Sequence, residues 1–207
     1  MICLLLTEGI MSMNKISLWS SFIRATEDER RCPLPADDRI PDAIDSITHA
    51  ITIDAPPHEV WPWLVQMGAG NRAGWYSYDW IDNGRRPSAD RIIGALQDPP
   101  VGTVFPALPG MTDGFVLDAI ARDRHLVLLA PGPDGKPIVT WTFVLNPVGA
   151  TRTRLLVRVR GAKGYRFLGL PSFLTKPAVH VVHFIMERRQ LRGIVDRVDR
   201  LAEVDVA

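Results

Sequence analysis

Two cysteines, Cys3 and Cys32, in 207 residues are too few for a disulfide framework, and neither has a metal-type neighbour. The expected compartment is a reducing cytoplasm. Charge of either sign is also lacking in excess: the formal net charge is +1, which points to neither nucleic acid nor an anionic membrane surface. No long apolar run is present. Met1 to Leu6 is apolar but too short to span a bilayer, has no basic segment before it, and is broken by Glu8. Met11 and Met13 are alternative starts. No internal repeat is visible, and there is no G-x-S-x-G, no H-E-x-x-H and no P-loop. Gly68 to Ala73 fits G-x-G-x-x-A, but it follows a predicted helix, whereas a dinucleotide loop must follow a strand. Ser12 to Lys15 fits S-x-x-K without any of its companion motifs.

What remains is an ordinary globular composition, 46% hydrophobic and 23% charged, in a chain long enough for one domain with a sizeable core. Residues 1–45 read as an N-terminal leader. Within it Asn14 to Ile23 has the pattern of a short helix, and Glu27 to Asp45 is charged and punctuated by Pro33, Pro35 and Pro41, which suggests an extended surface segment. The domain proper is expected over 46–207. Ser46 to Ile53 alternates, with Ile47, His49, Ile51 and Ile53 on one face, as a half-buried strand does. Pro56 and Pro57 then open a helix whose stripe is Val60, Trp63, Leu64 and Met67, bent at Pro62. Trp75 to Gly84 reads as a short aromatic helix. Runs of strand character follow at 103–108, 115–121, 125–130, 138–148 and 151–160. Trp141, Phe143 and Leu145 share one face, as do Leu155, Val157 and Val159, while Arg152, Arg154, Arg158 and Arg160 form a row expected to be solvated. Gly161 to Pro177 is apolar but broken by glycine and proline, which suggests an irregular lid. Ala178 to Glu203 is predicted as a long helix with a Phe184, Leu191, Ile194, Val195, Val198 and Ala202 stripe. Its first half, Val179 to Met186, is apolar nearly all round and is expected to be buried on more than one side. Arg188, Arg189, Arg192, Arg197 and Arg200 are expected in solvent.

One strand, two short helices, a meandering antiparallel sheet and a long closing helix is the helix-grip order. The stretch Ile51-Thr52-Ile53-Asp54-Ala55-Pro56-Pro57-His58-Glu59-Val60-Trp61-Pro62-Trp63-Leu64 resembles the opening of the SRPBCC (START-like) superfamily. Gly74 to Trp80 and Met186 to Leu191 resemble a bacterial branch of it. The resemblance covers about Pro41 to Leu201. It implies an α+β fold, a curved antiparallel sheet wrapped around the C-terminal helix, with an internal apolar cavity. Members bind lipids, hormones, polyketides or aromatic compounds, and only some are enzymes, so the fold does not fix an activity.

Glu187 lies inside the apolar stripe of the last helix, so its carboxylate should face the pocket or its rim and find His183, an arginine or a tyrosine hydroxyl there. His180, His183 and Glu187 form H-x-x-H-x-x-x-E. That spacing is compatible with a metal but reads more simply as two packed histidines, one bonded to Glu187. Tyr76, Tyr78 and Asp79 follow the glycine loop and are candidates to hold a polar ligand group. Trp75 and Trp80 read as packing. The candidate ligand-binding set is Trp63, Met67, Tyr76, Tyr78, Asp79, Trp141, Phe143, His183 and Glu187, with Glu187, Asp79 and Tyr76 as candidates for any catalysis. No metal and no cofactor is implied.

The expected function is binding of a hydrophobic or aromatic small molecule. An aromatase/cyclase-like enzyme acting on a polyketide-type substrate, and lipid binding at a membrane surface through 165–174 without spanning it, are the alternatives. No nucleic-acid partner is expected, and the chain is expected to be a monomer or homodimer.

Overall fold

The computed structural model describes residues 23–111, 114–132, 134–163 and 172–204, with the side chains of the last helix described from His180 to Ala202. Helix α1 (Glu27–Arg31) precedes β1 (Asp45–Ile53), α2 (Pro57–Val65) and α3 (Asp79–Asp82). Strands β2 (Val104–Pro106), β3 (Gly114–Ala121), β4 (His125–Pro131), β5 (Pro137–Val148) and β6 (Arg152–Gly161) follow, and α4 (Ser172–Val204) closes the fold. The six strands form one curved sheet in the order β1-β6-β5-β4-β3-β2, every neighbouring pair antiparallel. The first strand therefore pairs with the last, and the rest is a meander. The protein has the α+β helix-grip architecture.

Alternation decides which face of each strand is inner. Ile51 and Ile53 of β1, Phe143 and Leu145 of β5, and Leu155 and Val157 of β6 are all buried, and they share one core with Leu191, Ile194 and Val198 of α4. Val60, Trp63, Leu64 and Met67, from α2 and the turn after it, complete it. Helix α2 starts with Pro57 in its first turn, where a missing N–H costs nothing. Its open carbonyl end is served by Arg72, whose Nε donates to the Met67 carbonyl (2.6 Å) while the guanidinium also bonds the Val65 carbonyl and lies 4.0 Å above the Phe105 ring.

Five expectations need correction. The segment from Trp75 is helical only over Asp79–Asp82, because Tyr76 takes φ +60°, a left-handed conformation that a helix cannot continue. Helix α4 begins at Ser172, so the described part of the expected lid is helical and runs through Pro177; the rest of that lid, 164–171, lies outside the described residues, as does the expected helix at 14–23 apart from Ile23. The first half of α4 is not buried all round: Val181, Val182, Phe184 and Ile185 are exposed. Arg197 is not free in solvent; it donates to the carbonyls of Ala89 (2.7 Å) and Gly193 (2.8 Å) and covers the Tyr76 ring.

The arginine row on the outer face is also not solvated beyond Arg152: Arg154 and Arg160 are half-buried and Arg158 is buried. Residues 23–41 lie over it. Arg24 bridges His49 of β1, and Ile23, Ala25 and Ile40 are buried. Thr26 and Glu29 form a reciprocal capping box that starts α1. Glu29 then takes Arg154 (2.7 Å) and Asp37 takes Arg158 (2.6 Å). The charged composition of this segment has its counterpart on the sheet itself.

A candidate ligand cavity and its histidine–glutamate corner

A cavity of about 300 Å³ lies between the inner face of the sheet and α4. The sheet supplies Phe115, Ala130, Val139, Trp141 and Val159. The helix supplies Val182, His183, Met186, Glu187 and Gln190, positions spaced so that they share one helical face. The loops around α3 and β2 close the side with Trp75, Ser77, Asp82 and Ala107. Trp75 stacks on Trp141 with ring centroids 5.3 Å apart, and Phe115 meets both rings edge-on. Such aromatic walls favour a flat apolar ligand.

The polar groups sit in two places. On α4, the Glu187 carboxylate is almost fully buried, and both His49 Nδ1 from β1 and His183 Nδ1 from the preceding turn approach its Oε2. The His183 contact, at 3.3 Å, is too poorly aligned to be a hydrogen bond and acts as a charge–dipole contact. Burial holds the His183 ring below its usual pKa. The Glu187 carboxylate pulls the other way, and His49 adds to the depression. Across from α4, Asp82 has its carboxyl pushed up to about 6, first by burial and then by the Asp79 charge, against the pull of its own backbone N–H and the Ser77 hydroxyl. Five cavity residues carry a buried polar atom with no hydrogen-bond partner among the described residues: Trp141 Nε1, Asp82 Oδ1, His183 Nδ1, Glu187 Oε1 and Gln190 Oε1. Such atoms are rare in folded proteins and each calls for an explanation.

Of the residues singled out from sequence, Trp141, His183 and Glu187 line this cavity. Phe143 packs behind Trp141 (5.2 Å) in the core. Trp63 and Met67 are fully buried under α4, the Met67 sulfur accepting from Gln190 Nε2 (3.7 Å). Tyr76 turns away from the cavity: its hydroxyl donates to the Trp63 carbonyl (3.1 Å) and accepts from Gln66 Nε2 (2.9 Å), and burial lifts its pKa. Asp79 is engaged by Ser88, through the backbone N–H (2.9 Å) and the hydroxyl (2.5 Å), and so fixes the loop. Tyr78 is half-buried and does not line the cavity. His180 leaves Glu187 to its neighbour and pairs with Asp45 (2.5 Å).

Trp75, read from the sequence as packing, lines the cavity as well, and the residues not singled out are Ser77, Asp82, Gln190 and His49. A signal existed for two of them. His49 is the one polar residue among Ile47, Ile51 and Ile53 on the inner face of β1, and Gln190 falls three residues after Glu187 on the same helical face.

No protein-family model matches the chain, and no curated protein matches it. Among solved structures it is similar to a Mesorhizobium loti protein, with 16% identity, a TM-score of 0.42, and coverage of 75% of this chain and 98% of the other. It is also similar to a Thermus thermophilus protein (12%, TM-score 0.43, 76% and 99%). A Staphylococcus aureus protein of unknown function is a third (12%, TM-score 0.45, 77% and 97%). Function is therefore argued from the site's own chemistry.

Proposed function

We propose that this is a START-like (SRPBCC) protein, cytoplasmic by its cysteine usage, that binds a small aromatic or hydrophobic molecule carrying a polar group. The observation that carries the reading is the cavity itself: about 300 Å³, walled by Trp75, Phe115 and Trp141, with unpartnered polar atoms on Asp82, Glu187 and Gln190 at its margin. A volume at the lower end of the usual range selects a ligand of one or two fused rings over a long-chain lipid. The apolar rings give burial energy, and the few polar atoms give orientation. An aromatase/cyclase-like activity keeps only Glu187 of its candidates at the cavity, since Tyr76 and Asp79 have their polar atoms engaged elsewhere.

The test is fluorescence titration with 2-naphthol, read through the tryptophans, on wild type and Ala130→Phe. Ala130 lines the wall, so the added ring fills the space. Saturable quenching in wild type, weakened at least about tenfold in the variant, is expected, as a loss of about 1.4 kcal/mol of binding. Unsaturable quenching, or equal affinities in two folded proteins, would sink the reading. A docking role at a membrane has one observation in its favour: Val182 both lines the cavity and belongs to the exposed apolar patch with Val181, Phe184 and Ile185. Flotation with neutral phosphatidylcholine vesicles tests it. No helix among the described residues is long and apolar enough to cross a membrane.

A further inference from the structure

We propose that His49, His183 and Glu187 hold a divalent transition-metal ion at the polar margin of the cavity. Their ligand atoms all lie within 4.8 Å of one another, and they arrive from two different elements. His183 and Glu187 are one turn apart on α4, and His49 projects from the inner face of β1. The 3.3 Å between His183 Nδ1 and Glu187 Oε2 is close to the spacing of roughly 3.4 Å that two ligands take around a tetrahedral ion with bonds of about 2.1 Å, whereas His49 Nδ1 is in hydrogen-bond contact with the same oxygen and has to draw back to admit the ion.

The charge arrangement favours a cation. The Glu187 side chain is 2% exposed, and the groups that approach its carboxylate among the described residues are two imidazoles, with no arginine or lysine. A buried carboxylate in that position is costly without a full positive charge nearby. Both rings turn the same nitrogen, Nδ1, toward one carboxylate oxygen. His49 Nδ1 hydrogen-bonds that oxygen, but His183 Nδ1 is not aligned to do so and has no hydrogen-bond partner among the described residues. A cation among the three atoms takes the lone pairs of both neutral rings and the carboxylate together. It also gives Glu187 Oε1, which has no partner among the described residues, a second anchoring possibility.

Two imidazoles and one carboxylate suit zinc, cobalt and ferrous iron, whereas calcium and magnesium prefer oxygen alone. Three protein ligands leave at least one coordination position free, and because His183 and Glu187 line the cavity that position faces its interior. His49 and His183 remain 14% and 23% exposed, which gives the ion a route in. The next pair along the helix makes the contrast: His180 with Asp45 is more exposed and has only two candidate ligands. Metal binding can be read without knowing what fills the cavity, so its test uses the metal alone.

The full chain, stripped with chelator, is titrated with Co²⁺ by visible absorption and with Zn²⁺ by calorimetry. One equivalent should bind with a Kd of about 1 µM or tighter, and the cobalt complex should absorb in the visible as a low-coordinate ion does. His49→Gln and Glu187→Gln, each checked by circular dichroism, should each lose about 100-fold or more in affinity. His180→Gln should lose nothing. If either of the first two fails to fold, NMR of the wild type decides: Zn²⁺ should shift the ring signals of His49 and His183 and spare His58, His125 and His180. The proposal is overturned by no saturation below about 100 µM, by His49→Gln binding as tightly as wild type, or by shifts centred on any of the other three histidines.

Discussion

On the outer face of the sheet Arg158 is 3% exposed and gives its guanidinium to five acceptors: Thr48 Oγ1, Asp37 Oδ2, and the carbonyls of Glu29, Arg30 and Cys32. On the inner face Glu187 is equally buried, yet one of its oxygens has no partner among the described residues. Among their neighbours the contrast is one of degree. Arg154 is matched by Glu29 and Thr52 on the outer side, where Arg160 Nε and Thr140 Oγ1 have no hydrogen-bond partner among the described residues, whereas Asp82, Gln190 and Trp141 keep unpartnered polar atoms together on the wall of one cavity. A buried polar group that the chain itself satisfies is part of the fold's own construction. One that the chain leaves unsatisfied in a cavity wall is free to meet a ligand, as the proposed function requires. Arg154 and Arg158 thus serve structure, and the inner carboxylates are the groups on which the proposed binding rests.

The largest expected effect breaks the outer side. Arg158→Ala should destabilise the protein by about 3 kcal/mol, because it leaves the partly buried Asp37 carboxylate with only the Leu34 N–H and the more distant Arg160, and takes the donor from several carbonyls. Urea unfolding measures it. Limited proteolysis should find new cuts within 24–41, while 2-naphthol binding to the folded fraction stays unchanged. A loss under about 1 kcal/mol would mean that water replaces these bonds and that the outer layer is only loosely attached.

Gly193→Ala tests the inner side. Gly193 lies in α4, where alanine would ordinarily gain about 1 kcal/mol of helix propensity. Here a Cβ would meet the Tyr76 carbonyl oxygen at 2.3 Å and Tyr76 Cβ at 3.0 Å. The helix approaches the strained Tyr76 backbone so closely that only glycine fits. The variant should lose about 1–3 kcal/mol in spite of the propensity gain, and, because α4 is pushed off its loop, it should bind 2-naphthol more weakly. A stabilised variant with unchanged binding would show that the contact relaxes freely.

Much of this architecture is legible in the sequence, and the reasons are local. Strands β1, β5 and β6 alternate because one face meets the core, and the Leu191, Ile194 and Val198 stripe marks the buried half of α4. The start of α4 is not legible, since Pro177 inside it reads as a breaker. Nor is the turn at Tyr76, because a positive φ at a tyrosine leaves no compositional trace. For the site, helical spacing brings Glu187 and His183 together, but His49 joins them across 138 residues, a distance that no local pattern encodes. The docking of residues 23–41 is illegible for the same reason: the charges are visible, but their partners on β6 are chosen by tertiary structure.

The smallest effect sharpens the contrast by asking what an unsatisfied inner carboxyl costs. The Asp82 carboxyl rises from 3.8 to about 6 on folding, chiefly through burial and then through Asp79. Between those two values the folded protein holds more protons than the unfolded chain, so stability falls as pH rises through that window. The cost is absent below about pH 4 and fully present above about pH 6. A rise of that size corresponds to at most about 3 kcal/mol, and solvent reaching the carboxyl from the open side of the cavity reduces it to about 1–2 kcal/mol. Asp82→Asn removes the charge while keeping the shape. It should therefore melt higher than wild type at pH 7.5, and the gap should shrink to about half at pH 5 as the wild-type carboxyl takes up its proton. On the outer side Asp37→Asn should do the opposite, lowering the melting temperature at pH 7.5, because there the charge is used by Arg158. If Asp82→Asn proves destabilising, or if its gap over wild type is constant from pH 5 to 7.5, the inner carboxyl is satisfied after all, and the difference between the two faces loses one of its supports.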